Sequence, residues 1–200
     1  MSTQAPRAAA IAAAAVVAVL FAGSVAEATI LRDLRLADLV AQSDAVVVGT
    51  VVDAKSAWDG AGAQIFTDVT VDVGEYVVGV GPRRLQVRQQ GGRVGDVVMH
   101  VAGNAAFAPG EEVVLFLIRQ DGFSYTVGME LGKYTIARDG SDARVHRATT
   151  VPVATFVDAR RLGPMRLGTA DLTWEGAALE RLLAEIRSLA ARKAVDGGAP

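Results

Sequence analysis

Between Ile65 and Val73 the chain alternates strictly. Ile65, Thr67, Val69, Val71 and Val73 fall on one side, and Phe66, Asp68, Thr70 and Asp72 on the other. A period of two is the signature of a half-buried β-strand. The same pattern returns over Arg84 to Gln90, where Leu85 and Val87 point inward between Arg84, Gln86, Arg88 and Gln90. Paired side by side, the two strands set Asp68 and Asp72 against Arg84 and Arg88. Val113 to Ile118 is apolar at every position, as expected of a central strand covered on both faces. Ala45 to Ala54 is rich in β-branched residues around Gly49, which predicts a bulge, a bend or a close backbone approach there. Shorter strands are predicted over Val97 to Val101, Phe123 to Val127, Lys133 to Ala137 and Ala143 to Arg147. Turns are expected at Trp58 to Gly62, Gly79 to Pro82, Gln120 to Gly122 and Asp139-Gly140.

Helical spacing occurs twice. Leu34, Leu36, Leu39 and Val40 share a face that ends at Ser43-Asp44. Leu179, Leu182, Leu183, Ile186 and Leu189 form a longer stripe on a helix expected to start near Thr173, with Thr173 as its N-cap and Trp174 anchoring it. About eight short strands between a short N-terminal helix and a longer C-terminal amphipathic helix predict a mainly β protein. The expected architecture is a small OB-like barrel, closed or partly open.

The first residues read differently. Met1 to Arg7 is a short basic start, Ala8 to Ala22 is a run of 15 apolar residues, and Ala26-Glu27-Ala28 is a small-x-small cleavage pattern. A membrane span needs about 20 apolar residues, so residues 1–28 read as a signal peptide cut before Thr29. The expectation is an exported protein, periplasmic or extracellular, with one domain over residues 29–195 and a frayed tail over 196–200. No later apolar run reaches spanning length, so no membrane span is expected after cleavage. The chain has 20 basic and 22 acidic residues, interspersed, for a net charge of −2. Without a polybasic stripe, nucleic acid is not an expected partner. It has no cysteine, so its stability outside the cytosol must come from packing. The abundance of Ala, Val, Arg and Gly suggests a bacterial source with GC-rich coding.

From Leu34 to Ala137 the chain resembles a loose class of bacterial exported proteins. The likeness rests on Ser43-Asp44-Ala45-Val46-Val47-Val48-Gly49, Trp58, Ile65-Phe66-Thr67, Gln90-Gly91-Gly92, and Gly103 with Phe107. It continues through Pro109-Gly110-Glu111, Val113 to Leu117 and Gly132-Lys133-Tyr134. This order of strand motifs is similar to the netrin-like, OB-fold modules, which include the tissue inhibitors of metalloproteinases. The resemblance implies the fold, and with it a protease as one kind of extracytoplasmic partner. It does not carry the inhibitory mechanism, because those inhibitors chelate zinc with an N-terminal cysteine and this chain has none.

Catalytic chemistry finds little to stand on. The two histidines are His100 and His146, and no Gly-x-Ser-x-Gly elbow presents a serine; Gly122-Phe123-Ser124-Tyr125-Thr126 lacks the second glycine. A Ser–Lys pair through Lys55 or Lys133 has no supporting motif. Two histidines without cysteine do not make a zinc site. Asp139-Gly140-Ser141-Asp142 reads as turn chemistry rather than a calcium loop. No cofactor is expected. Glu111 is expected to be a turn residue or a partner of Arg119. The binding candidates are Trp58, Phe66, Gly91, Gly92 and Asn104. Trp58 in its turn and Phe66 on the wet side of its strand are the candidates because a large apolar group at the surface gains little unless it meets something; for Phe66 the favoured placement is instead packing beneath the terminal helix. Gly91 and Gly92 have a bulge or wide turn as their plain structural meaning. The sequence therefore points to an exported, non-catalytic binding module for another extracytoplasmic protein. An envelope hydrolase or a structural envelope component are the alternatives.

Overall fold

The computed structural model describes residues 31–32, 34–147, 153–155, 166–168 and 173–196. The expected signal segment 1–28, its cleavage point at Thr29 and the tail after Asp196 lie outside the described residues. The chain is mainly β, with one large sheet and a C-terminal helix. A two-residue strand β1 (Leu31–Arg32) is followed by helix α1 (Leu36–Gln42) and two long strands, β2 (Ala45–Trp58) and β3 (Ile65–Val78). Then come β4 (Arg84–Gln90), the small hairpin β5 (Gly92–Val94) and β6 (Val97–Met99), and the strands β7 (Glu112–Gln120) and β8 (Phe123–Thr126). A 3₁₀ turn at Met129–Gly132 leads into β9 (Lys133–Asp139) and β10 (Asp142–His146). After β11 (Val153–Thr155), β12 (Arg166–Gly168) and β13 (Ala177–Ala178), helix α2 (Leu179–Asp196) is the last described element.

The large sheet runs β13-β10-β9-β7-β2-β3-β4-β8, and β8 also pairs with β7. Strand β8 thus lies antiparallel to β7 and meets β4 in parallel at a single position, Val87 opposite Ser124. The short strands β1, β11 and β12 form a separate sheet, and β5 with β6 a third.

Two apolar cores explain the patterns along the strands. In β7, Val114 and Phe116 join one core while Val113, Leu115 and Leu117 join the other. Consecutive residues of a strand point to opposite faces, so a strand between two cores must be apolar throughout. The first core packs Val46, Phe116, Tyr134 and Val145 of the sheet against Leu36, Leu39 and Val40 of α1 and Leu182, Leu183 and Ile186 of α2. The second lies on the other face and gathers Val47, Val51, Val69, Val71, Leu85 and Val87. The alternating row of β3 supplies that second core, and its polar row remains partly open.

Gly49 sits where the β2–β3 register shifts, and a Cβ there would stand 2.6 Å from the Asp72 carbonyl oxygen. Only glycine permits that approach. Helix α1 starts two residues later than its apolar stripe suggested. Asp38 Oδ2 accepts the Arg35 N–H at its start, and Ser43 Oγ donates to the Leu39 carbonyl at its end. The terminal helix likewise begins at Leu179 and not near Thr173. Residues Thr173 to Gly176 form a turn with Gly176 at φ +69°, and Ala177–Ala178 then add to the edge of β10. Trp174 does pack against the helix-side core, with Arg181 over its ring at 5.3 Å. Among the described residues, no helix is long and apolar enough to cross a membrane.

Candidate functional site

The site begins with one edge of β4. All seven residues of β4 pair with β3, from Phe66 opposite Gln90 to Asp72 opposite Arg84. The Val73 N–H donates to the Arg83 carbonyl at 2.6 Å, which sets the phase of the ladder. In an antiparallel pair, alternate residues direct their backbone groups toward the partner. Arg83, Leu85 and Val87 therefore face β3, whereas Arg84 and Gln86 turn their N–H and C=O groups the other way. On that side β8 reaches β4 only at Val87.

A cavity of about 700 Å³ opens beside this bare stretch of β4. Arg84, Leu85 and Gln86 form one wall, and Arg119, Phe123 and Ser124 from the β7–β8 hairpin form the facing one. Asp53, Lys55 and Thr70 extend it over the outer face of β2 and β3, and Tyr76 with Pro82 closes the lower end. The hairpin is sharp because Asp121 and Gly122 both adopt positive φ, at +51° and +82°. That turn places Phe123 and Ser124 at the mouth.

The charges around the cleft are mostly paired. Arg84 holds Asp72 through two bonds of 2.7 and 3.0 Å. Arg88 holds Asp68 through two of 2.7 Å. These are the cross-strand pairs that the alternation implied. The bonds from Arg84 hold the Asp72 carboxyl below the usual carboxylate range. Lys55 pairs with its neighbour Asp53 at 2.6 Å. Arg88 is also stacked between aromatic rings, 3.6 Å from the centre of Phe123 and 5.5 Å from that of Phe66. Arg119 differs. Its backbone N–H donates to Asp44 Oδ2 at 2.7 Å and one guanidinium nitrogen donates to the Val80 carbonyl at 2.6 Å. Among the described residues no carboxylate pairs with its guanidinium. Tyr76 beside it donates to the Pro82 carbonyl at 2.8 Å. Burial pushes the Tyr76 hydroxyl above its ordinary pKa despite the Arg119 charge.

The five residues singled out from sequence gather at the opposite end of β2, β3 and β4. Trp58 pairs with Ile65 and Ala57 with Phe66, so the two aromatic side chains leave the sheet on opposite faces. Trp58 is the last residue of β2 rather than part of a loop, and is 41% exposed. Phe66 lies against Arg88 and not beneath the terminal helix. Gly91 and Gly92 take φ of +94° and +140°, and a Cβ on Gly92 would collide with Ser56 Oγ and Thr67 Oγ1. The Gly91 N–H donates to the Ile65 carbonyl, and its own carbonyl accepts from Thr67 Oγ1, both at 2.7 Å. Asn104 Nδ2 donates to the Gln90 carbonyl. Phe66, through Arg88, adjoins the cleft; Gly91, Gly92 and Asn104 set the turn that leads into β5. Of the cleft residues, Gln86 reads in sequence as an outward strand position, Arg119 as a partner for Glu111, and Phe123 and Ser124 as part of an incomplete Gly-x-Ser-x-Gly elbow; none of these readings points to a shared cleft.

Other polar clusters lie elsewhere. Glu111 pairs with Lys133 at 2.7 Å and also accepts from Thr135, which corrects the expected link to Arg119. Burial pushes the Glu111 carboxyl up, but the bonds and charge of Lys133 with those of Thr135 and the Ala108 N–H outweigh it and leave it below the ordinary value. His146 Nδ1 lies 2.7 Å from Glu175 Oε1, and the Arg147 N–H occupies the other carboxylate oxygen. Asp139 and Asp142 pair across the β9–β10 turn. Among the described residues, no three His, Cys, Asp or Glu side chains are grouped to hold a metal. No protein-family model, no curated protein and no solved structure matches this chain.

Proposed function

We propose that this chain is an exported, non-catalytic binding module whose partner is another extracytoplasmic protein, engaged through the cleft between β4 and the β7–β8 hairpin. The observation that carries the reading is the cleft itself, about 700 Å³ beside a strand edge that lacks a partner. It is lined by hydrogen-bonding groups and by Phe123, whose ring is stacked on Arg88.

The strand circuit supports an OB-like barrel as the scaffold. Pairing runs β2–β3–β4–β8–β7 and returns to β2, with β4 and β8 parallel. In that architecture ligands meet the outer face of the second and third strands and the loops at its margin. Here those strands are β3 and β4, and the margin is the turn at Asp121-Gly122. Paired rather than free arginines on this face favour a protein over a nucleic acid. Export rests on the basic start, the apolar run and Ala26-Glu27-Ala28.

The test is affinity capture by the purified protein from secreted and periplasmic proteins of the source cell. A saturable partner is expected, lost with Phe123→Ala and kept with Val195→Ala, whose side chain is exposed on the far end of α2. A protease among the captured proteins is what the netrin-like pattern favours. A partner retained by Phe123→Ala and released by Trp58→Ala would move the binding face to the other end of the sheet.

A further inference from the structure

We infer that the partner enters the cleft as an extended polypeptide segment, added as a strand to the free edge of β4, with an acidic side chain placed on Arg119. The inference rests on the reading of the cleft as the binding face and names what it takes.

The strand edge makes the first argument. In a parallel pair the hydrogen bonds slant to the residues flanking the bridge, so Ser124 engages Gln86 and Arg88 around Val87. That leaves the Arg84 N–H and C=O and the Gln86 N–H pointing into the cavity without a strand to meet them. A row of open backbone donors and acceptors is a template for an incoming strand. This stretch of the edge carries no proline within β4, and no helix is among the elements that pack closely on it.

Charge makes the second. Arg84, Arg88 and Lys55 each hold a carboxylate of this chain, so the lining contributes one unspent positive group, Arg119. Its position is fixed by the bond to the Val80 carbonyl and by the Asp44 contact to its backbone. A guanidinium recognises a carboxylate through paired N–H donors. An incoming Asp or Glu therefore completes the pairing that the other cations already have. Phe123, held by Arg88 at 3.6 Å, offers an apolar wall to the neighbouring residue of such a segment.

The experiment is selection of random short peptides against the full protein, followed by affinity measurement on synthetic copies of the enriched sequences. Enriched peptides are expected to carry an Asp or Glu and to weaken about tenfold with Arg119→Ala, the loss of one partly exposed charge-assisted contact. N-methylation at alternate peptide residues removes ladder bonds while leaving the protein untouched, and about a tenfold loss is expected in one phase of the alternation only. Enriched peptides without acidic residues, equal tolerance of N-methylation at every position, or no enrichment at all would each overturn the inference. A captured partner that still depends on Phe123 alongside such a result leaves the binding face standing and removes only the strand-addition mode. Loss of the Phe123 dependence removes the face itself.

Discussion

Lys133 and Glu111 show how a single pair organises the loop before β7. Both side chains are largely buried, and Lys133 also donates to the Ala106 carbonyl and stands 4.8 Å from the Phe107 ring. Removing the cation strands a carboxylate that has little access to water. Lys133→Met is expected to cost about 2–3 kcal/mol in urea denaturation at neutral pH. The pair also sets a pH dependence. The Glu111 carboxyl is held below its unfolded value, so its contribution is complete above the unfolded pKa and is lost as pH falls through the folded one. The protein should lose stability as pH falls below the ordinary glutamate value of about 4.3, and Glu111→Gln should lose less over the same fall. An equal loss in both would assign the acid sensitivity to other carboxylates. Gly92 makes a steric counterpart, because its φ of +140° and the crowding by Ser56 and Thr67 exclude a side chain. Gly92→Ala is expected to cost about 1–3 kcal/mol by the same denaturation measurement.

At the scale of elements, the terminal helix covers one core by a narrow stripe. Leu182 and Ile186 are fully buried in it. Leu182→Ala should destabilise by about 2–5 kcal/mol in thermal or chemical unfolding. The stripe was legible because helical spacing repeats through Leu179, Leu182, Leu183, Ile186 and Leu189. The long strands were legible for the same reason, at a period of two. What the pattern hid were features with too few residues to show a period. Strand β5 spans three residues and is hidden because the glycines at 91, 92 and 95 read as interruptions, whereas its partner β6 falls within the strand expected over Val97 to Val101. The 3₁₀ turn at Met129–Gly132 is equally short. The start of α2 was displaced because Ala177–Ala178, good helix formers, are drawn into pairing with β10.

The whole molecule adds what no local pattern contains. Val87 and Ser124 are joined across three intervening strands, and that single contact leaves the Arg84–Gln86 stretch of the β4 edge without a strand partner. The cleft takes Lys55, Gln86, Arg119 and Phe123 from four different strands. Each of them is unremarkable in sequence, so the cleft becomes visible only when the pairing order is known. Trp58 and Phe66 stood out in sequence as the candidate binding aromatics, yet the register sends them to opposite faces. The paired charges Asp68–Arg88 and Asp72–Arg84, by contrast, follow from strand alternation alone.

The most direct test of the binding face is photo-crosslinking in the source cell, with a crosslinking amino acid placed singly at Ser124, at Trp58 and at Val98. These positions sample the cleft, the opposite end of β2 and the exposed β6 hairpin. A discrete adduct from position 124, absent from the other two, is the predicted result. Adducts from Trp58 or Val98 with none from position 124 would contradict it.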